Sequence, residues 1–202
     1  MRLIILLSLL AAMSAALGAG DPVPSPSERA RVIQLLRESQ KEFLAAVENL
    51  SQEAWTYKPA PDRWSVAEVS EHIMLAEETL FGMAQKALGA PANPEAETRT
   101  AGKTEFLERV MVDRSRRAQA PESVKPLGLA RAEILDRYQG SRARTMKFIE
   151  ATTAGLKAHT ADHPFPVFGT LNAYQWILYI PLHNIRHNQQ IAEVKASSGF
   201  PR

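Results

Sequence analysis

The chain has 202 residues, 45% of them hydrophobic, which is enough to bury one core of ordinary size and calls for no more than one domain. Its formal charge is +2, with basic and acidic residues interspersed rather than segregated, and this argues against nucleic acid as a partner. It contains no cysteine, which excludes a disulfide framework, a thiolate nucleophile and a lipidation site near the N-terminus, so any metal must be held by nitrogen and oxygen.

Met1 and Arg2 precede a largely apolar run from Leu3 to Leu10, and mostly small residues follow from Ala11 through Gly20. That layout reads as a secretory signal peptide over residues 1–20, because a transmembrane helix needs about 20 strongly apolar residues. Cleavage after Gly18 or after Gly20 satisfies the small-x-small rule, and an uncleaved anchor is the alternative, since Arg2 is the one basic residue in front of the run. The expectation is export to the periplasm or the exterior, with no stable membrane insertion after cleavage. Residues 21–26 form a tether whose three prolines exclude helix, and a helical domain is expected over 27–198.

From Ser27 to Leu50 the residues Val32, Leu35, Leu36, Phe43, Val47 and Leu50 recur mostly three and four apart, which predicts an amphipathic helix. Ser51 to Trp64, with Pro59, Pro61 and Asp62, predicts a structured turn closed by Trp55 and Trp64 as a plug over the bundle end. Ser65 and Glu68 match the capping box that opens a second helix, whose stripe is Val66, Val69, Ile73, Ala76, Leu80 and Met83 and whose end is set by Gly89 and Pro91. Ala90 to Pro126 is irregular, with a short helix expected over Thr104 to Val112. Leu129 to Thr152 predicts a third helix with Ile134, Tyr138, Met146 and Ile149 inward and several arginines outward. Thr170 is the expected cap of a final helix with Trp176, Ile180, His183, His187, Ile191 and Val194 inward and a kink at Pro181. No β-pattern stands out, so the fold class is all-α: a four-helix bundle with a long crossover between the second and third helices.

His183 and His187 stand four apart on one helix, which aligns both imidazoles on the same face. His72 is the remaining histidine on the inward side of a predicted helix, so packing the second helix beside the last would bring three nitrogens around one ion. Three neutral nitrogens leave a coordination position open, as catalytic sites require. The same spacing also suits hydrogen-bonded core histidines. His159 and His163 are four apart as well, but Gly155, Pro164 and Pro166 argue against a helix there and leave them as exposed loop residues.

The segment Trp64-Ser65-Val66-Ala67-Glu68-Val69-Ser70-Glu71-His72-Ile73, with His183-Asn184-Ile185-Arg186-His187-Asn188-Gln189-Gln190-Ile191, resembles the two signature helices of the DinB-like superfamily. The resemblance implies a four-helix bundle in which one histidine of the second helix and two of the fourth hold a divalent metal, the positions of His72, His183 and His187. It does not imply one activity, since such proteins include thiol-dependent transferases and isomerases alongside proteins called metal-dependent hydrolases.

Glu68, one turn before His72, is a candidate general base or acceptor for an imidazole, and its capping role explains it equally well. Gln190, one turn beyond His187, is a candidate donor to substrate or metal-bound water, and Arg186 could pair an anion if it turns inward. The leading expectation is a metal-dependent hydrolase of the cell envelope that uses zinc, nickel or another divalent ion on a small-molecule substrate, with a second copy of the chain among its candidate partners. The rivals are a non-catalytic metal-containing binding or scaffold protein, a thiol-dependent transferase, and a metal-free bundle with core histidines.

Overall fold

A computed structural model describes residues 23–115 and 119–201, so the predicted signal peptide and its cleavage points lie outside the described residues. Four long helices, α1 (Pro26–Val47), α3 (Val66–Gly89), α6 (Arg131–Ala151) and α7 (Ala173–Lys195), make the bundle. Each of α1 and α3 packs against both α6 and α7, which closes the four into a ring around the core. Shorter helices α2 (Gln52–Thr56), α4 (Ala96–Thr100) and α5 (Lys103–Val112) fill the connections, with α5 packed on α7, and a single 3-10 turn spans Glu122–Val124.

Side-chain caps set three of the four long-helix starts. Ser25 and Glu28, Ser65 and Glu68, and Asn172 and Gln175 each form a reciprocal capping box that satisfies otherwise orphaned amides. Helix α1 therefore begins one residue earlier than expected, with Pro26 in the first turn, where its missing N–H costs nothing. Asn172, not Thr170, caps α7: Thr170 instead donates to Asp162 Oδ1 at 2.6 Å. Ser51 likewise caps α2 inside the stretch expected to be helix-free. Helix α7 runs unbroken through Pro181.

Two short strands were not expected. Strands β1 (Thr160–Asp162) and β2 (Thr170–Asn172) pair antiparallel with Ala161 opposite Leu171, and Gly169 takes a left-handed φ of 62° ahead of β2. The hairpin carries His163 onto α7, where its ring stacks on Trp176 with centroids 5.1 Å apart and planes 8° from parallel. His163 is thus half-buried rather than an exposed loop residue, and burial lowers its pKa to about 4. His159 is also half-buried, with Nδ1 donating to the Ala90 carbonyl at 2.8 Å.

The core consists of two apolar clusters separated by a polar layer. One cluster centres on Leu36, Leu80, Ile149 and Ile177, the other on Phe43, Ile73, Tyr138 and Ile191. Between them each long helix contributes one polar residue: Ser39, Glu77, Arg142 and Asn184, all buried. Arg142 is 0% exposed, an inward-facing arginine of α6 that the sequence reading did not single out. Its Nε donates to Glu77 Oε1 at 2.5 Å and its Nη2 to Glu77 Oε2 at 3.1 Å and Asn184 Oδ1 at 2.7 Å, while Nη1 donates to Ser39 Oγ at 2.9 Å and to the Leu36 carbonyl. Tyr138 adds a bond from its hydroxyl to Asn184 Oδ1 at 2.7 Å.

A buried ion pair stabilises little relative to an apolar replacement of both partners, but loss of one partner strands the other charge. Arg142→Met should therefore cost about 3–5 kcal/mol in chemical denaturation, and pairing it with Glu77→Leu should recover part of that loss. Losses of the two single variants that simply add in the double variant would show that the pair is not coupled.

Candidate metal centre

The capping box at Ser65 sets the start and phase of α3, so His72 falls on the side facing α7, one residue before the core residue Ile73. On α7 the order His183, Asn184, Ile185, Arg186, His187, Asn188 splits two i,i+4 pairs between neighbouring faces. Asn184 and Asn188 turn into the polar layer and toward α1, where Asn188 Nδ2 donates to the Ser39 carbonyl at 3.0 Å and Asn188 Oδ1 accepts from Asn184 Nδ2 at 2.9 Å. His183 and His187 turn toward His72.

The three histidines meet. One ring nitrogen from each lies within 4.8 Å of the others, and the Nε2 atoms of His72 and His183 are 3.3 Å apart. Two imidazole nitrogens bound at about 2.1 Å to one tetrahedral ion stand about 3.4 Å apart, so this pair already has coordination spacing. His72 and His187 are buried, at 4% and 8% exposure, while His183 keeps partial access to solvent.

Hydrogen bonding fixes which nitrogens point inward. His72 Nδ1 lies 2.7 Å from the Val124 carbonyl, which can only accept, so the proton is on Nδ1 and Nε2 presents its lone pair. His187 Nδ1 lies 2.8 Å from Gln190 Oε1 and is oriented in the same way. Burial lowers the pKa of all three imidazoles, with the Val124 bond opposing it at His72 and the Gln190 bond opposing it at His187. Mutual proximity lowers His183 and His187 further, and so do the charges of Arg186 on both and Arg114 on His187. Neutral imidazoles with converging lone pairs are the state a metal ion takes up, so the donor set fits a divalent cation.

Gln190 touches His187 and also accepts from Arg114 Nη1 at 3.5 Å. Glu68 is engaged by the Ser65 amide at 2.7 Å and by Lys58 Nζ at 2.9 Å, on the capping side of α3. The Trp64 ring stacks obliquely on His72 with centroids 4.9 Å apart, whereas Trp55 is buried beneath the guanidinium of Arg131.

The carboxylate that organises the site is Glu71, which the sequence did not single out. It is 2% exposed and accepts from three successive backbone amides, Leu127 at 2.8 Å, Gly128 at 2.9 Å and Leu129 at 3.2 Å. The left-handed φ of 86° at Gly128 lets the loop curl around the carboxylate. This ties to α3 the loop that follows Val124, whose carbonyl orients His72. Outer hydrogen bonds of this kind are worth about ten- to a hundredfold in metal affinity. Glu71→Ala should weaken zinc binding by about that factor in a competition titration while the helical content is kept, and an unchanged affinity would show that the loop is held by other means.

Comparison with known proteins agrees with the helical fold. The model of the DinB superfamily matches residues 35–191. The uncharacterized protein YuaE of Bacillus subtilis is 27% identical over 170 residues, covering 81% of this chain and 96% of its own. Among solved structures, YfiT of Bacillus subtilis superposes with a TM-score of 0.52 at 14% identity, over 89% of this chain and 92% of its own. It is described as a probable metal-dependent hydrolase with an unusual four-helix bundle topology.

Proposed function

Because the chain belongs to the DinB superfamily, we propose that His72, His183 and His187 hold one divalent metal ion and that the protein is a metal-dependent hydrolase of a small-molecule substrate. The observation that carries the reading is the convergence of three neutral imidazoles with no carboxylate among them, two of them oriented by a carbonyl and an amide oxygen. A divalent ion held there supplies Lewis acidity for water or for a substrate oxygen. The description of YfiT as a probable metal-dependent hydrolase supports the same reaction class.

The chain's own residues do the positioning. Val124 and Gln190 fix the ligand tautomers, Trp64 shields the His72 side, and the partial access of His183 gives substrate its way in. Gln190 can turn its amide N–H toward a substrate oxygen while its oxygen keeps His187 in place. Zinc and nickel are the proposed ions, since imidazole nitrogens suit both. Export of the mature chain, with the signal peptide cleaved after Gly18 or after Gly20, completes the proposal, and sequencing of the mature N-terminus should begin at Ala19 or Asp21. A second reading, a metal-containing binding protein without turnover, draws on the engagement of Glu68 by Ser65 and Lys58, which leaves it no free oxygen toward the triad.

Elemental analysis of protein purified without chelator or affinity tag should find about one divalent ion per chain, and His183→Ala should lose it with the helical content retained. The loaded protein should then hydrolyse at least one class of ester, amide or phosphoester substrate about a hundredfold faster than the variant. Metal retained by the variant would contradict the site. Metal without turnover on any class would favour the binding reading.

A further inference from the structure

The edge of the triad is lined by cations. Arg114 Nε and Nη2 grip the two oxygens of Glu193 at 2.7 Å each, Arg63 approaches Glu193 from another side at 3.6 Å, and Arg114 Nη1 reaches the Gln190 oxygen that touches His187. Arg186 lies three residues after His183 and one before His187, and donates to the Asp113 carbonyl. Against these three guanidinium groups stand the carboxylates of Glu193 and Asp113, and neither they nor any other acid joins the histidine cluster among the described residues. Glu68 and Glu71 are engaged by backbone amides and Lys58.

Tyr179 occupies the same strip of α7, one turn before His183, with ring centroids 6.2 Å apart. The residue is 6% exposed, its hydroxyl makes no hydrogen bond among the described residues, and that oxygen is not one of the fully buried unpartnered atoms, so it is open to an acceptor that enters from solvent. Burial keeps the phenol protonated, and Arg186 is the charge that acts on it. Tyr179, His183 and Arg186 thus follow one another at spacings of four and three along one helix face, with the solvent-accessible histidine between the other two.

We propose that this strip is an oxyanion subsite: Arg186 and the Tyr179 hydroxyl receive a carboxylate or phosphate group of the substrate and place the adjoining bond at the triad. The proposal rests on the metal reading only for the position of that bond. The chemistry of a guanidinium suits either anion, and its forked geometry tolerates replacement by lysine poorly. With three neutral ligands and a divalent ion in the centre, the positive charge of the site would favour such a substrate over a neutral one.

Inorganic phosphate and acetate, titrated calorimetrically into the zinc-loaded full chain and into the chelator-treated chain, test this directly. Wild-type protein should bind at least one of the two at one site per chain. Arg186→Gln should weaken that binding about tenfold or more, Arg186→Lys by less, and Tyr179→Phe by a smaller factor still, with zinc content unchanged in all three. Which probe binds more tightly distinguishes a carboxylate from a phosphate substrate. Binding that depends on zinc and is insensitive to Arg186→Gln would overturn the proposal by placing the anion on the metal alone. No binding of either probe by loaded wild-type protein would overturn it as well. If the wild type takes up no zinc, the metal reading fails separately, and Arg186-dependent binding by the metal-free chain would still uphold the subsite.

Discussion

Arg142, buried without solvent exposure at the centre of four helices, is the constraint on which the rest of the structure depends. An arginine stays charged inside a protein, so each of its N–H groups must find an acceptor or the bundle carries a large desolvation cost. The acceptors come from every other wall: the Leu36 carbonyl and Ser39 on α1, Glu77 on α3 and Asn184 on α7. Those bonds are directional where the apolar contacts above and below them are not. They therefore set the axial register of α1, α3 and α7 relative to α6.

That register is what makes a site of the histidines. Asn184 is the immediate neighbour of His183, and Glu77 lies five residues beyond His72, so the layer that aligns α3 with α7 also aligns the two sources of ligands. The second level of control is local. Glu71 binds three amides of the loop beyond Val124, the Val124 carbonyl fixes the His72 tautomer, and Gln190 does the same for His187. Burial keeps the imidazoles neutral, and the orienting groups outside the ligands aim two of them before any ion arrives, which lowers the entropic cost of closing the site around one.

The parts legible in the sequence were those governed by short-range spacing. The 3.6-residue period gave the four long helices, Ser65 with Glu68 gave the start of α3, and the four-residue step from His183 to His187 gave the shared face. Elements decided by contacts distant in sequence were hidden. Three-residue strands are too short to show alternation, so the hairpin at Thr160–Asp162 and Thr170–Asn172 left no pattern. Arg142 sits among other arginines of an amphipathic helix, and only its acceptors on three other helices turn it inward. Between two glutamates near His72, local capping logic draws attention to Glu68, while the role of Glu71 depends on a loop more than fifty residues away. Asn172 could have been preferred to Thr170 as a cap, because Gln175 stands three residues on and completes the box.

In the proposed site three imidazoles, and no carboxylate, surround one divalent ion. X-ray absorption at the zinc edge of the loaded full-length protein tests it most directly, because imidazole rings scatter with a characteristic outer-shell pattern. The account predicts three imidazole nitrogens at about 2.0–2.1 Å, with the remaining coordination from exchangeable oxygen. A shell with one imidazole or none, or one completed by a protein carboxylate, would contradict it.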